Sequence, residues 1–423
     1  MSPAPRTVLE DTETDIAIVG GGMVGATLAL LLAAERHDWR VTLIEALPLA
    51  APQQPHYQPS FDARSTAIAA GSAAVLEGLG VWSILAQHAT PIRQVHVSDR
   101  GHLGGTLIDS GEHGLEALGY VVENAWLGSV LLQRLGQQDN IRCLAPATVE
   151  ALRFDRRGAV LDLRGDGEPQ RLRCRLAVVA DGAQSPLRSA LGIDVTVTDY
   201  HQSAVIANVA FEQPHAGVAY ERFTERGPLA ILPLQGPRDC GRGALVWTRP
   251  SARAEEIMAL DEREFLQRLQ SCFGFRLGRF TRAGQRHAYP LQLITAAEQV
   301  RSALAVMGNA AHFLHPVAGQ GFNLALRDCA ALAETLSEAQ GRGQGPGELS
   351  VLQTYVERQA RDQLLTTGFS DTITRLFSTS RLPAAVLRNL GFFGLDLLPP
   401  AKAWLEQQTM GHAGRRARLR HSS

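Results

Sequence analysis

The sequence predicts an α/β fold: a Rossmann-like nucleotide-binding domain, an inserted antiparallel-sheet domain and a C-terminal helical segment. Three observations predict it. Residues 15 to 45 read strand, glycine turn, helix, strand. Residues 200 to 250 alternate apolar and polar in repeated short runs, an antiparallel-sheet pattern. Residues 351 to 409 read as mostly helical.

The first unit opens with "DIAIV", a short apolar run suited to a buried parallel strand. "GGGMVGATLALLLAAE" turns and enters a helix, and "RVTLIE" is a second buried strand. Gly20, Gly22 and Gly25 stand as GxGxxG between strand and helix. Gly20 permits the tight turn, Gly22 lets backbone N–H groups approach a pyrophosphate, and Gly25 lets helix and strand pack closely. The helix N-terminus adds partial positive charge. Glu45 ends the next strand, where its carboxylate can hold ribose hydroxyls and disfavours a ribose phosphate. The unit therefore reads as a site for FAD or NAD rather than NADP. No second GxGxxG unit follows, so a nicotinamide would bind without its own Rossmann domain.

Further along, Pro48, Pro52, Pro55 and Pro59 mark a loop, and Ser65 to Gly78 reads as helix. Strands are expected from Gln94 to Asp109 and from Thr148 to Val179, with the helix "WLGSVLLQRLGQ" between. "RLAVVADGAQSPLRSALG" is a buried strand, a sharp turn at Asp181-Gly182 and a short helix. A helix over 261–274 and a strand at "HAYPLQL" follow. "ALAVMGNAAHFL" is a buried strand that runs into "HPVAGQGFNLALRD", a turn and then a helix. Phe322, Leu326, Cys329, Leu332 and Leu336 form that helix's apolar face, which ends at "GRGQGPG".

Composition narrows the chemistry. The chain has 423 residues, 45% of them hydrophobic, and a net charge of -1, which gives no reason to expect nucleic acid. Five scattered cysteines form no CxxC pair and no zinc-like spacing, so no metal site is expected and a reducing cytosol is the plain reading. Lys402 is the only lysine. A Walker-type loop has no lysine to use, and a pyridoxal phosphate Schiff base would have only this one, in a proline-flanked tail. The N-terminus lacks the apolar core of a signal peptide, and no apolar run is long enough to span a bilayer.

Three motifs, "GGGMVGATLAL", "VVADGAQSPLR" and "MGNAAHFLHPVAGQGFNLALRD", stand in an order that resembles the single-component flavin-dependent aromatic hydroxylases, whose fold is that of p-hydroxybenzoate hydroxylase. The last motif is similar to the signature of the ubiquinone-biosynthesis hydroxylases. "FDARSTAIAAGS", "VHVSDRGH", "AVIANVA" and "ERFTERGPLAILPL" are similar to the hydroxylases of 2-octaprenyl-6-methoxyphenol in particular. The likeness runs over roughly residues 15 to 410. It implies a Rossmann-like FAD-binding domain in three parts (1–92, 113–192 and 291–345), an inserted antiparallel-sheet substrate domain in two (93–112 and 193–290) and a C-terminal helical region (346–423). It also implies hydroxylation of a polyprenylated methoxyphenol para to its hydroxyl. In that chemistry NAD(P)H reduces FAD, O₂ adds to give a flavin hydroperoxide, and the distal oxygen goes to the ring.

The resemblance further implies a set of flavin contacts. Pro316, Gly319 and Gly321 lie next to the flavin ring, where glycines let backbone donors stabilise the reduced, anionic form. Gln320 and Asn323 begin the helix behind them. Asp181 and Gly182 lie near the pyrophosphate and a nicotinamide path, with Arg188 either pairing with Asp181 or reaching the cofactor. Arg64 lies close to the flavin, and Glu123 and Arg134 fall on the segment that touches the ribose. Two positions depart from the family pattern: Asn309 stands where aspartate is common, and Ala325 where glycine is frequent. Asn309 can still donate and accept, and is kept as a flavin contact.

His312 and His315 lack a third ligand and read as packing or turn residues. Tyr220, Phe223, Trp247 and Tyr289 suit either a core or a substrate pocket. No residue is assigned as the base that takes the phenolic proton. "RNLGFFGLDLLPPAKAWLEQQ" is apolar but interrupted by Asp396, Pro399 and Pro400, so it cannot span a membrane. With Arg415, Arg416, Arg418 and Arg420 it is compatible with a cytoplasmic protein that touches the inner membrane or a ubiquinone-biosynthesis complex peripherally. Two rivals remain: a flavin reductase of isoprenoid double bonds, and a non-catalytic FAD-binding subunit.

Overall fold

In the computed structural model, which describes residues 11–49, 64–99, 105–224, 227–236, 240–314 and 319–378, the first βαβ unit forms around the glycine turn. Strand β1 (Asp11–Val19) leads into helix α1 (Met23–Glu35), and β2 (Val41–Ile44) returns parallel to β1. Helix α1 is buried nearly all round, from Gly25 to Ala33, because it is sandwiched. The sheet covers one side, and helices α4 (Asn124–Leu135) and α8 (Gln320–Gly341) cover the other. A helix in that position needs no polar face.

Around this unit grows an eight-stranded sheet. β11 (Gln170–Val179) lies parallel to β1 on one side and β2 on the other, with β8 (Ile141–Leu144) beyond β2. β19 (Leu304–Val306) pairs parallel with the C-terminal half of β11, and β18 (Val300–Arg301) closes that edge. The N-terminal half of β11 instead carries the antiparallel ribbon β9 (Ala147–Asp155) and β10 (Gly158–Gly165). The parallel order β19-β11-β1 sets three strand ends side by side, and each of the three glycine-bearing motifs begins at one of them.

The expected helix over 65–78 is half strand. β3 (Ser65–Ala69) comes first, and helix α2 occupies only Ala70–Gly78. The alanine-rich stretch has helix propensity, but β7 (Gly119–Glu123) offers a strand edge along which Ser65 to Ala69 pair residue by residue. β4 (Thr90–Ile92) completes this small sheet, and the short helix α3 (Trp82–Leu85) links α2 to it.

The inserted domain is a nine-stranded sheet. Its long central strand β12 (Val195–Phe211) pairs with β15 (Gly241–Pro250), β16 (Phe280–Ala283) and β17 (His287–Ala296). Beyond β15 come β14 (Leu229–Leu234), β13 (Val218–Phe223), β5 (Gln94–Asp99) and β6 (Gly105–Asp109), and β20 (His312–Phe313) borders β17. One face packs on helices α6 (Ser251–Ala259) and α7 (Glu262–Phe273) through Val205, Val209, Leu245, Trp247, Phe265 and Phe273. The other turns toward the β3–β7–β4 sheet.

Helix α5 (Pro186–Ala190) follows the Asp181-Gly182 turn, and α9 (Leu349–Ser378) packs along α8. Among the described residues no helix is long and apolar enough to cross a membrane. The apolar stretch around 388–408 and the arginines from Arg415 to Arg420 lie outside the described residues.

Candidate functional site

The three motifs meet at the ends of β1, β11 and β19, and the contacts are steric as well as topological. Gly20 has φ +107°, and a Cβ there would sit 2.4 Å from the Ala180 carbonyl oxygen. A Cβ on Gly25 would sit 1.9 Å from the Gly20 oxygen. These two glycines are required by the protein's own backbone. Gly22 differs: its φ is -67°, and a Cβ there would meet nothing within 4 Å. The space in front of it is left by the chain for something else.

The same holds for the donors. The N-terminus of α1 has no side-chain cap and no acid in its first turn, and neither does α8, whose cap residue is Gly319 at φ +61°. Uncapped first-turn amides are oriented to bind an anion. Glu45 is buried, with Oε2 accepting from the Gly21 amide (2.7 Å) and Oε1 from Leu47 (3.0 Å). That locks the carboxylate beside the glycine turn.

Asp181 is adjacent, its Cα 3.0 Å from where a Gly20 Cβ would be. Both carboxylate oxygens are shielded from solvent, and the Ser185 hydroxyl and nearby backbone amides stand close to them without completing a well-formed hydrogen bond. Burial pushes the Asp181 pKa up, and the Ser185 hydroxyl, backbone amides and Arg188 oppose this without cancelling it. A buried acceptor with no donor costs about 1–3 kcal/mol or more unless a ligand supplies one. The neighbouring Gly182, at φ +100°, also faces open space.

The third motif completes the cradle. Met307 N donates to the Val179 carbonyl (2.9 Å), and a Cβ on Gly308 would lie 3.0 Å from Val24. Asn309 follows in a short turn with its side chain exposed. A Cβ on Gly319 would lie 3.1 Å from that of Ala67 on β3, and one on Gly321 3.9 Å from Leu314. Gln320 is buried at the first position of α8. Pro316 and His315 lie outside the described residues.

These features fit a dinucleotide whose diphosphate lies across the glycine turn and whose second half reaches α8. A model of the FAD binding domain matches residues 13–367. A ubiquinone hydroxylase of Rhodospirillum rubrum, UbiL, is 38% identical over 415 residues, which cover 96% of this chain and 92% of that one. The 3-demethoxyubiquinol 3-hydroxylase of Escherichia coli is 35% identical over 387 residues, 90% of this chain and 95% of that one. The crystal structure of p-nitrophenol 4-monooxygenase PnpA from Pseudomonas putida superposes with a TM-score of 0.75, at 20% identity, over 96% of this chain and all of that one. This chain belongs to the FAD-dependent monooxygenases of the p-hydroxybenzoate hydroxylase-like family. It is an FAD-binding enzyme, so the reading as a non-catalytic subunit is set aside.

In this monooxygenase several expected flavin contacts have other partners. Asn323 is fully engaged: its Oδ1 accepts from Ala69 N, and its Nδ2 donates to the carbonyls of Ala67 and Gly319, each at 2.8 Å. It clamps the first turn of α8 to β3. Arg188 is buried and donates to the carbonyls of Ala310 (2.8 Å) and Ala183 (3.0 Å), joining the second motif to the third. It forms no ion pair with Asp181. Glu123 pairs with Arg242, tying β7 to the inserted sheet. Beside this pair is a groove of about 520 Å³ lined by His88, Trp126, Leu234, Gln235 and Gly236.

Arg134 is not brought to the cradle. It sits at the opposite end of α4 from Asn124, ~15 Å away at 1.5 Å per residue. There its guanidinium donates to Gln137 and faces the Gly80 turn. The sequence alone does not distinguish the two ends of so short a helix. Arg64 does reach the space between the domains, with its Cζ 4.8 Å from the Tyr289 ring centroid. Of the other aromatics, Trp247 and Tyr220 face helix α7, through Phe265 and Phe273. Tyr289, under Arg64, is thereby brought to the cofactor domain, while Phe223 is buried. His312 is buried, and burial lowers its pKa to about 4, so it stays neutral and packs.

Replacing Asp181 with alanine is expected to weaken FAD binding by roughly 10-fold or more while leaving thermal stability of the apoprotein equal or higher. The variant removes a poorly satisfied buried acceptor from the apo state and a ligand partner from the holo state. Flavin-fluorescence titration and apoprotein melting check the two halves.

Proposed function

We propose that this monooxygenase hydroxylates a polyprenylated methoxyphenol of the 2-octaprenyl-6-methoxyphenol type, para to its hydroxyl, in ubiquinone biosynthesis. NAD(P)H is the electron donor. The observation that carries the reading is the near full-length likeness to a ubiquinone hydroxylase. The stretches "FDARSTAIAAGS" and "ERFTERGPLAILPL" narrow it to this substrate class. A half-open apolar face on the inserted sheet, formed by Ile206, Ala230 and Val246, suits a prenylated ring.

When bound, FAD supplies the redox chemistry: it accepts a hydride and passes one oxygen atom of O₂ to the ring. The chain does the rest. First-turn amides of α1, next to Gly22, hold the diphosphate, and Glu45 meets a ribose hydroxyl. Asp181 accepts from a hydroxyl, since a phosphate oxygen offers it no proton. Asn309 bonds the ribitol chain as donor or acceptor. The amides of Gly319 to Gly321 stabilise negative charge on the ring; Pro316, which the family resemblance sets next to the ring, lies outside the described residues. The Asn323 clamp keeps that turn in place. The β3–β7–β4 layer and the inserted sheet exclude water, which protects the oxygen transfer from wasteful breakdown.

The test is substrate-stimulated NAD(P)H oxidation under ¹⁸O₂ with a short-chain 2-prenyl-6-methoxyphenol. One labelled oxygen para to the phenol is expected. Product reduced at a prenyl double bond, with no oxygen consumed, would instead establish the reductase reading. Co-sedimentation with anionic liposomes tests peripheral membrane contact through the C-terminal segment.

A further inference from the structure

Strand β13 carries a glutamate in a place where a buried sheet ordinarily has an apolar residue. Alternation puts Ala219, Glu221 and Phe223 on one face of β13, and Tyr220 and Arg222 on the other. Tyr220 packs on Phe273 and stands near His96, so its face is the helix-covered one. Glu221 therefore points toward the cofactor domain.

The layer it faces changes over two residues. Ala219, Leu232 and Ala244 form one row across β13, β14 and β15, packed against Ile92, Val121 and Ala67. Ala67 is the residue under Gly319. The next row is Glu221, Ala230, Val246 and Ile206, matched strand to strand. All four are half-open, although they lie in the middle of a nine-stranded sheet. The inserted sheet thus touches the cofactor domain at one row and parts from it at the next, ~7 Å further along the strand. Two residues on from the row that packs on Ala67, the neighbour of Gly319, this face of the sheet therefore presents three apolar side chains and one carboxylate that nothing in the cofactor domain fully covers.

We infer that Glu221 is the group that accepts the phenolic proton of the substrate. This rests on the phenol hydroxylase reading above. Its flanking residues on β14 and β5 are Ala230 and Val97, aliphatic side chains that offer the carboxyl no hydrogen bond. Among the described side chains, the charged groups nearest it have other placements. Arg222 and His96 are on the other face, Arg242 pairs with Glu123, Arg64 lies over Tyr289, and His287 ends the row on the far strand β17. Burial pushes the Glu221 carboxyl up to about 7, where a base is half ionised at neutral pH and most effective.

The proton balance closes. The phenolic O–H breaks and its proton passes to the Glu221 carboxylate as the para ring carbon bonds one oxygen atom derived from O₂; the O–O bond breaks, its electron pair leaves on the other oxygen, and that oxygen ends as water with protons from solvent. The ring then loses its C–H proton to solvent on rearomatising. Glu221 returns its proton to the original phenolic oxygen.

The experiment compares wild type, Glu221→Gln and Glu221→Asp as FAD-loaded enzymes, with a short-chain 2-prenyl-6-methoxyphenol. Infrared difference spectra follow the carboxyl band, and stopped-flow measurements follow ring hydroxylation against pH. In the wild type we expect a protonated-carboxyl band that titrates near neutrality, is absent in Glu221→Gln and shifts when the phenol binds. Hydroxylation in Glu221→Gln should fall by about 100-fold. Its acid limb near pH 7 should disappear, and phenols of lower pKa should recover rate. Glu221→Asp should retain the limb at reduced rate. A Glu221→Gln enzyme with wild-type rate and pH profile overturns the inference and leaves the phenol hydroxylase reading intact. A phenol that binds and shifts the band without being hydroxylated overturns that reading and leaves Glu221 in contact with the bound phenol. A phenol that binds without shifting the band removes Glu221 from contact with it.

Discussion

Gly22→Val should give a folded, colourless protein, and Gly25→Ala should give little folded protein at all. Both residues belong to one six-residue motif, yet opposite physics holds them. Gly22 has a backbone conformation open to any residue, and a side chain there meets no protein atom within 4 Å. Adding one restricts the unfolded chain and costs the native fold nothing obvious. It does fill the space before the first turn of α1. Losing two charge-assisted hydrogen bonds to a phosphate, at about 1.5–3 kcal/mol each, weakens FAD binding by roughly 10²–10⁴-fold. At Gly25 the new methyl would lie 1.9 Å from a backbone oxygen, which only a shift of α1 against β1 relieves. α1 lies at the centre of the largest hydrophobic cluster, so that shift disturbs the whole cofactor domain. Circular dichroism, thermal melting and flavin absorbance separate the two outcomes. A yellow, fully loaded Gly22→Val enzyme would remove the diphosphate from this turn.

The same contrast explains how far the site was legible in the sequence. Gly20 and Gly25 are needed by contacts within the motif and with Ala180, so their spacing carries the information locally. The Asp181-Gly182 turn was legible for the same reason, since it ends a buried strand. Residues whose role depends on a distant partner were not. Asn323 looked like a ligand contact, but it bonds Ala67 and Ala69 some 254 residues or more away in sequence. Glu123 looked like a ribose contact, and its partner Arg242 sits on a different sheet. Ser65 to Ala69 read as helix because their strand partner lies fifty residues on. Glu221 carried one faint signal, a charge at the inward phase of "VAYERF". Only the neighbouring strands show which phase is inward, and only the half-open row shows that the cofactor domain does not cover it.

Helix α9 should prove a second determinant of cofactor retention, through a buried ion pair far from the flavin. Arg327 on α8 meets Asp362 on α9 through two hydrogen bonds of 2.6 and 3.2 Å, with Thr366 adding a third, and the two side chains are only 11% and 4% exposed. Asp362→Ala strands a buried guanidinium and should cost about 3–5 kcal/mol. Because α8 begins at the turn that Asn323 clamps to β3, loss of α8–α9 packing should also raise FAD release on heating. The neighbouring Asp328 should respond the other way. Its carboxyl accepts from Gln363 (3.1 Å), and burial raises it to about 7. An acid raised in the folded state contributes stability below its unfolded pKa of about 4, and that stability drains away as pH rises toward 7. Asp328→Asn keeps an acceptor for Gln363 and has nothing to ionise. Its melting temperature should equal that of wild type near pH 4 and exceed it at pH 8, the gain bounded at about 4 kcal/mol by three pH units of linkage. Melts of both variants at the two pH values decide the matter: Asp362→Ala must fall at each, and Asp328→Asn must rise only at the higher. A pH-independent loss in Asp328→Asn would mean that the native carboxyl is ionised and paired, and the polar layer between α8 and α9 would then be a network of charges.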